Sequence, residues 1–291
     1  MSQINTDKKI TVLDAPSNLG LKPPAPGVVP GVYKAPWALR EHRLVHRLGA
    51  VDAGVVVPPR YDATWQPGDG VRNGRAVADY AVALAGRVEG IWKDGGFPVV
   101  LGGDCSIVLG PALALRRTGQ RFGVAYLDAH ADFRHLGNSP HVGSAAGEDL
   151  ALLTGRGDDL LTDIEGLRPY VRDEDVVLIG VRDPEDLADI AGTGLAWVSG
   201  AEGGLELAGR VLGDLPFWIH VDADVLDPGI LSAVDSPTPD GMTADELVGV
   251  LRGLLARPGA AGLEVTILDP DLDPDGSQAG LLADILVAAL T

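Results

Sequence analysis

The sequence is poor in cysteine and contains no long apolar run. Its single cysteine, Cys105, excludes an intrachain disulfide. No apolar stretch reaches the roughly 20 residues that a membrane-spanning helix needs. The opening residues, MSQINTDKKITV, lack the hydrophobic region that is typical of a signal peptide. We therefore expect a soluble, cytoplasmic protein.

Positive charge is also scarce. The chain has 23 basic residues against 41 acidic ones, which gives a net charge of -18. Nucleic acids and anionic membranes bind to positively charged surfaces, so neither is an expected partner. The acidity has two compatible interpretations: it keeps the protein soluble, or it concentrates carboxylates at a cation site. The hydrophobic fraction of 46% with 22% charged residues is that of a folded globular protein.

Short apolar segments alternate with helical ones along most of the chain. Strands are predicted at ITVLDA, AVDAGVVV, FPVVLGG, RFGVAYLD, EDVVLIG, LPFWIHVD and AGLEVTIL. Helices are predicted at 73–94, SIVLGPALALRRTG, TADELVGVLRGLLAR and SQAGLLADILVAAL, the third with Thr243 and Glu246 as a capping box. This alternation predicts a mainly parallel sheet with helices on both faces. Since no linker or repeat interrupts it, we expect one three-layer α/β/α domain over residues 1–291.

Acidic residues and a histidine follow two of these strands. Asp128, His130 and Asp132 are spaced two residues apart after one strand, and Asp222 and Asp224 follow another. Sites in open α/β sheets form at the carboxyl ends of the strands. Because side chains alternate along an extended strand, residues two apart are expected to share one face. The two segments are therefore predicted to meet at one edge of the sheet.

This grouping of four carboxylates with an imidazole predicts a metal site. One aspartate at a strand end is usually a helix cap or a solvated charge. Several crowded carboxylates repel one another, and each buried unpaired charge costs several kcal/mol or forces protonation. A divalent cation removes this conflict. Aspartates with one imidazole suit Mn²⁺ or a related first-row ion, and this number of ligands suits two ions.

Three segments resemble the signatures of the ureohydrolase (arginase and agmatinase) family, in the family's order and spacing. They are GDCS at 103–106, DAHAD at 128–132 and HVDADVLDP at 220–228. The segment SPTPDGMT at 236–243 resembles the family's proline- and glycine-containing stretch before a helix, and GVVPGVYKAPWALREHRL resembles its N-terminal loop and first helix. The resemblance spans nearly the whole chain. It implies an arginase-like fold and a homo-oligomer, either a trimer or a hexamer.

The resemblance also implies a binuclear manganese cluster and a reaction. The matching metal ligands are Asp128, His130, Asp132, Asp222 and Asp224, with Asp128 and Asp222 expected to bridge the two ions. In this family the cluster activates a water that attacks the carbon of a small guanidino substrate. Asp132 would hold the resulting hydroxide and move its proton to the departing amine. The products of arginase-type reactions are urea and an amine.

Cys105 departs from the family pattern, because the family normally has a histidine ligand at this position. A thiolate is softer than an imidazole and is not the preferred ligand of Mn²⁺. Three roles stay open: Cys105 binds the first metal as a thiolate, it binds no metal, or it is a nucleophile. No His–acid pair is recognisable to activate it as a nucleophile. His220 is interpreted either as a core histidine bonded to a neighbour or as a replacement for the lost ligand.

The residues expected to bind substrate also differ from the pattern. The segment GLEVTILDP matches the family stretch whose glutamate binds the guanidinium group, but that position holds Ile267. Glu264 is the nearest carboxylate, and it either binds substrate or is a strand-end charge. In the loop at 133–143, Asn138 is a candidate substrate ligand. His141 is the candidate proton shuttle, with His135 as its rival.

These observations predict a metal-dependent hydrolase that cleaves a C–N bond of a guanidino compound. Arginine, an N-hydroxylated arginine, agmatine and guanidino acids are candidate substrates. The changed ligand and Ile267 argue against an ordinary arginase, and a hydroxyguanidine would be consistent with an altered metal site. Two alternatives stay open. One is an amide or formimino hydrolase on the same scaffold, and the other is a catalytically silent homologue that binds metal or a partner subunit.

Overall fold

Eight parallel strands form one sheet in the computed structural model, which describes residues 9–140 and 142–291. The strands are β1 (Lys9–Ala15), β2 (Val51–Val55), β3 (Gly96–Gly102), β4 (Gly123–Leu127), β5 (Val176–Ile179), β6 (Ala196–Val198), β7 (Phe217–Asp222) and β8 (Ala260–Thr266). Their order across the sheet is β2-β1-β3-β8-β7-β4-β5-β6. The predicted parallel sheet is confirmed.

Helices cover both faces of this sheet. Within the described residues they are α1 (Ala35–Glu41), α2 (Leu44–Arg47), α3 (Gly74–Lys93), α4 (Leu109–Arg117), α5 (Asp149–Leu153), α6 (Asp159–Thr162), α7 (Pro184–Asp189), α8 (Gly204–Leu212), α9 (Ala244–Leu255) and α10 (Ser277–Leu290). One core lies under α1, α8, α9 and α10, and the other under α3, α4 and α5. The three-layer prediction is therefore confirmed. None of the helices in the described residues is long and apolar enough to cross a bilayer.

The central strands are buried on both faces, which explains their continuous apolar sequences. Every residue of β4 and β7 is buried. Polar residues nevertheless lie in this layer, among them His220 on β7 and Glu264 on β8, which are register partners across the two strands. Polar groups in such a position must find partners, since an unpaired buried polar group costs free energy.

The strand order creates the edge where the site forms. The chain passes from β3 to β4, and the later strands β7 and β8 are inserted between them. The carboxyl ends of β3, β8, β7 and β4 therefore lie side by side. Ligands in open α/β sheets bind outside the carboxyl ends of strands at such a change of direction. The segments that follow β3, β4 and β7 carry Cys105, Asp128 and Asp224.

The capping box predicted for α9 is present, and its contribution to stability can be measured. The Thr243 hydroxyl accepts from the backbone N–H of Glu246 at 3.2 Å, and the Glu246 carboxylate accepts from the backbone N–H of Thr243 at 2.8 Å. We expect Thr243→Ala to lower the free energy of unfolding by about 1 kcal/mol, because a helix N–H loses its acceptor. Urea denaturation measures this loss. Thr291→Ala at the exposed end of α10 is the control, and an equal effect of both variants would contradict the expectation.

Candidate metal centre

A cleft with a volume of about 530 Å³ opens at the carboxyl edge of the sheet. Its walls include the loop at 21–32, the turn at 144–147 and the start of α7. Five of the predicted metal ligands line it: Cys105, His130, Asp132, Asp222 and Asp224. Ile267, at the position where the family has its substrate-binding glutamate, lines it too. Asp128 lies just beneath them and is 1% exposed. The predicted ligands therefore do converge on one place.

The residues after β4 converge through a turn and not through an extended strand. The strand ends at Leu127, and the Asp128 carboxylate accepts from the backbone N–H of His130 at 2.6 Å. The backbone of Asp132 is left-handed, with φ of 44°. Aspartate tolerates this conformation better than most residues. The prediction that strand alternation aligns these side chains is therefore wrong, although they do meet.

The segment after β7 is joined to this turn by hydrogen bonds. Asp222 caps a single 3₁₀ turn by accepting from the backbone N–H of Asp224 at 2.7 Å. One oxygen of Asp224 accepts from the backbone N–H of Ala129 at 3.1 Å, and the other lies 2.9 Å from Nδ1 of His130. Single ligand atoms of Asp128, His130 and Asp224 all lie within 4.8 Å of one another. This spacing suits a common metal ion.

Cys105 reaches the same place from β3. The turn before it needs a glycine, because a Cβ on Gly103 would lie 1.7 Å from the backbone oxygen of Ser17. The Cys105 sulfur is 2.8 Å from a carboxylate oxygen of Asp222 and 3.1 Å from the hydroxyl of Thr266. The side chain is 1% exposed. Cys105 therefore joins the aspartates despite its departure from the family pattern.

The carboxylates of the site are electrostatically crowded. Burial, and then the neighbouring Asp224, raise the pKa of Asp128 to about 7. Burial likewise raises the pKa values of Asp132 and Asp222 well above those of free aspartates. Burial works against ionisation of His130 and Asp224 too. The contacts of His130 with Asp128 and Asp224 outweigh this effect and raise the pKa of His130, and the contact with His130 lowers the pKa of Asp224.

The Cys105 thiol is poorly suited to act as a nucleophile. Burial, and then the carboxylates led by Asp222, raise its pKa well above the usual value. Thiolates are the reactive form, and reactive cysteines normally have a lowered pKa. The structure does correct one expectation, because a His–acid pair is present nearby. Nδ1 of His220 lies 2.8 Å from Glu264, and a ring nitrogen of His220 lies within 4.8 Å of the Cys105 sulfur.

Glu264 does not take the position predicted for a substrate ligand. It is fully buried, pairs with His220 and is absent from the cleft wall. His220 is also fully buried, and its ring stacks on Tyr126 with centroids 4.3 Å apart. A carboxylate in this position has no access to a substrate in the cleft. The geometry does not support the predicted substrate contact of Glu264, and for His220 it favours the interpretation of a core histidine bonded to a neighbour.

Asn138 and His135 lie in a self-contained loop outside the cleft wall. The Asn138 side chain accepts from the backbone N–H of His135 at 2.8 Å and donates to the backbone oxygen of Phe133 at 3.0 Å. Both ends of its amide are therefore used in closing the loop, which does not fit the predicted substrate contact. His141, the predicted proton shuttle, lies outside the described residues.

Ile267 occupies the cleft wall where the family pattern has a carboxylate. Its side chain is buried, and its backbone N–H donates to the backbone oxygen of Gly103 at 2.8 Å. The backbone φ is 68°, which is rare for a β-branched residue. Such a conformation costs of the order of 1–3 kcal/mol and persists only where the surroundings impose it. At this one residue the cleft wall is apolar and its backbone is strained.

The sequence analysis did not single out several acidic residues near the ligands, among them Asp149, Asp183 and Asp186. Asp149 is fully buried and accepts from the Tyr126 hydroxyl at 2.6 Å, while the same hydroxyl lies 3.1 Å from Asp132. Asp183 and Asp186 line the cleft at the start of α7. Acidic residues in the first turn of a helix are common because they complement its dipole. This explains why the segments EDLALL and DPEDL gave no sign of a site.

Comparison with known proteins gives a consistent result. The model of the family described as the arginase family matches residues 28–291. An arginase from Bacillus caldovelox is 29% identical over 96% of this chain and 97% of its own length. A crystal structure of an arginase from that organism superposes with a TM-score of 0.85 over 97% of this chain and 98% of the other, at 28% identity. The proclavaminate amidino hydrolase from Streptomyces clavuligerus shares the fold, with a TM-score of 0.72 over 97% and 91% of the two chains at 22% identity.

Proposed function

Because this chain belongs to the arginase family, we propose that it uses divalent metal ions to cleave a carbon–nitrogen bond of a guanidino compound, releasing urea or a urea derivative and an amine. The observation that carries this proposal is the convergence of Asp128, Asp132, Asp222 and Asp224 with His130 at one cleft. A metal-dependent ureohydrolase is the enzyme class that the family supports.

The residues present fit a metal centre. The Asp128 oxygen Oδ2 is buried and has no hydrogen-bond partner within the described part of the chain. A buried carboxylate oxygen left in this way costs free energy unless a cation lies against it. The donors are mostly hard carboxylate oxygens with one imidazole, which suits Mn²⁺. We propose that the ions are held by the residues predicted as ligands, namely Cys105, Asp128, His130, Asp132, Asp222 and Asp224.

The protein side chains would orient the reaction and move its proton. When bound, the metal ions would acidify a water molecule and polarise the guanidino group. Asp132 lies in the cleft wall beside the other proposed ligands, where its carboxylate would take a proton from the attacking water and return it to the departing amine. Tyr126 fixes its carboxylate through a 3.1 Å hydrogen bond. The His130 ring is oriented by the Thr238 hydroxyl, 3.2 Å from Nε2.

The charge of the cleft supports a cationic substrate. Beyond the proposed metal ligands, its walls include the four aspartates Asp183, Asp186, Asp235 and Asp269, against the two basic residues Lys22 and Arg134. Arg134 is already 3.5 Å from the carboxylate of Asp186. An excess of carboxylates attracts cations and raises their local concentration. A guanidino compound that also carries an ammonium group fits this surface.

We further propose that the reacting group is an N-hydroxyguanidine. Ile267 leaves the wall without the carboxylate that would grip a fully charged guanidinium, and Cys105 alters the metal ligands. A hydroxyguanidine is a weaker base than a guanidine and depends less on such a carboxylate. This change of substrate would explain why the family's carboxylate is replaced by Ile267.

Urea release from a substrate panel tests the proposal. Metal-loaded protein is incubated with arginine, N-hydroxyarginine, agmatine and guanidino acids, and urea and amine are measured. We expect urea or hydroxyurea from at least one compound, and the largest kcat/KM for the hydroxylated one. Ammonia without urea would instead indicate an amide or formimino hydrolase. No product from any compound, despite bound metal, would indicate a catalytically silent homologue.

Ile267→Glu tests whether the residue at this position determines the preference between a guanidinium and an N-hydroxyguanidine. We expect this variant to gain at least tenfold in kcat/KM for arginine relative to N-hydroxyarginine, because one carboxylate–cation hydrogen bond contributes about 1.5–3 kcal/mol. Glutamate is also unbranched at Cβ, so it suits the positive φ of this position no worse than isoleucine. Ile267→Gln is the matched neutral control. If both variants shift the ratio equally, charge selection at this wall is refuted.

A further inference from the structure

A second group of ligand-type side chains lies beneath the floor of the cleft. The Cys105 sulfur, a carboxylate oxygen of Asp149 and a ring nitrogen of His220 all lie within 4.8 Å of one another. Cys105 also lines the cleft, whereas Asp149 and His220 do not. Both are completely buried. We call these three residues the deep triad.

His220 is held as a metal-bound histidine would be. Its Nδ1 lies 2.8 Å from Glu264, and its ring is stacked on Tyr126. The other nitrogen, Nε2, is buried and has no hydrogen-bond partner among residues 9–140 and 142–291. Metal-bound histidines usually donate one ring N–H to a carboxylate, which leaves the second nitrogen free for the ion. The Glu264 carboxylate supplies that partner.

In Asp149, as in His220, one polar atom of the side chain is hydrogen-bonded and the other is not. Its Oδ1 accepts from the Tyr126 hydroxyl at 2.6 Å. Its Oδ2 is buried, and the described residues offer it no hydrogen bond. An unsatisfied buried acceptor costs about 1–3 kcal/mol, so native structures rarely keep one without a reason. Two such atoms, on Asp149 and His220, belong to side chains that meet at one thiol.

We propose that Cys105, Asp149 and His220 form a metal site that binds Zn²⁺ or Co²⁺ in preference to Mn²⁺. A thiolate, an imidazole and a carboxylate together are softer than the aspartates of the cleft, and they are ligands that zinc commonly takes. Asp222 lies 2.8 Å from the Cys105 sulfur and is the natural fourth ligand, because it borders both sites.

The deep triad changes the expected composition of the metal centre. It shares Cys105 with the metal cluster of the proposed function. This shared residue is the only point at which the inference rests on the proposed function. A softer ion would bind below, and Mn²⁺ would bind to the aspartates of the cleft above it. Protein loaded with manganese alone would then have the deep position empty or weakly occupied. The active protein would contain two different metals.

Cobalt spectroscopy on the full-length protein tests the inference. Protein stripped with a chelator is reconstituted with Co²⁺, Zn²⁺ or Mn²⁺, and the bound metal is counted by mass spectrometry. We expect a thiolate-to-cobalt charge-transfer band that excess Mn²⁺ does not remove and that Cys105→Ser abolishes. His220→Asn and Asp149→Asn should each weaken Co²⁺ binding at least about 100-fold, and Glu264→Gln about 10-fold, since a partner of a ligand contributes less than the ligand itself.

His220→Asn and Asp149→Asn distinguish the deep triad from a site formed by Cys105 and the cleft aspartates. If Cys105 binds metal only together with Asp128 and Asp132, and Asp149 and His220 take no part, His220→Asn and Asp149→Asn will keep the cobalt band and the affinity. That result overturns the inference. His42→Asn and Asp175→Asn are matched controls, the second at another carboxylate that is 1% exposed, and both should leave the affinity unchanged.

X-ray absorption on the zinc-loaded wild type covers the case in which a buried variant does not fold. With one equivalent of zinc, we expect one sulfur at about 2.3 Å and one imidazole at about 2.0–2.1 Å on the same ion. Sulfur and oxygens without an imidazole, which Cys105 with Asp128 and Asp132 would give, or oxygens alone, would overturn the inference. Urea release is measured on the same zinc-loaded protein after Mn²⁺ has been added to fill the aspartates of the cleft. Turnover without the sulfur signature would refute the deep triad and leave the proposed function intact. The sulfur signature without turnover would support the deep triad and count against the proposed function.

Discussion

Asp132→Asn is expected to lower kcat by about 10²- to 10⁴-fold while the protein stays folded. This is the usual contribution of a general acid–base group, and the amide can neither take a proton from the attacking water nor return it to the amine. Asparagine has nearly the same shape and tolerates a φ of 44°. Steady-state kinetics on the preferred substrate of the panel measure the loss.

The chain offers a close control for this substitution. Asp240 is an exposed aspartate that also has a left-handed backbone, with φ of 63°. Asp240→Asn should leave kcat within a factor of two. Metal content must be measured for both proteins, because Asp132 is also a proposed metal ligand. If Asp132→Asn keeps its metal and its kcat, the proton-transfer role is excluded.

Asp128→Asn is expected to stabilise the metal-free protein at pH 8 and to destabilise the metal-loaded one. The raised pKa of Asp128, about 7 against about 3.9 in the unfolded chain, determines the sign. A carboxyl group whose pKa rises on folding favours the folded state at low pH, and this contribution is lost as the pH increases from about 4 to 7. At pH 8 the ionised group costs up to about 4 kcal/mol. Asparagine removes that cost, but it also removes a metal ligand.

Denaturation at two pH values, with chelator and with Mn²⁺, checks this prediction. In chelator, the variant should exceed the wild type in free energy of unfolding at pH 8 and show little difference at pH 5. With metal the order should reverse. Asp175→Asn is the control, because its buried carboxylate is paired with Arg121 at 2.7 Å and its loss should destabilise the protein under every condition. A loss of stability in the metal-free variant at pH 8 would contradict the electrostatic account.

The sequence was sufficient to predict the sheet and most of the proposed metal ligands. The apolar strands and the helix at 74–93 are long and regular, so their periodicity is informative. The segments containing Asp128 and Asp224 were identified because their motifs are specific and lie at strand ends. The strand order, however, depends on which buried strand contacts which, and apolar strands of similar composition do not encode this locally.

The sequence was less informative about the residues around the substrate, because their roles depend on tertiary contacts. Glu264 and His220 lie on adjacent strands, so their pairing depends on the register between β7 and β8. Asp149 looks like an ordinary acidic residue at a helix start, and its importance comes only from burial beside Tyr126. Asn138 appeared to be a binding residue, but its amide is used by its own loop. Contacts over long sequence distances decide these roles.

The insertion of β7 and β8 between β3 and β4 has a consequence for protein synthesis. On the ribosome, the first half of the sheet emerges with β3 and β4 unable to pair directly, since the strands that join them are made last. Such non-local pairing is slow and leaves strand edges open for longer. The aspartates after β7 arrive with those strands, so a nascent chain has no complete metal centre. Metal binding at the complete proposed centre would therefore require nearly the whole chain to have been made.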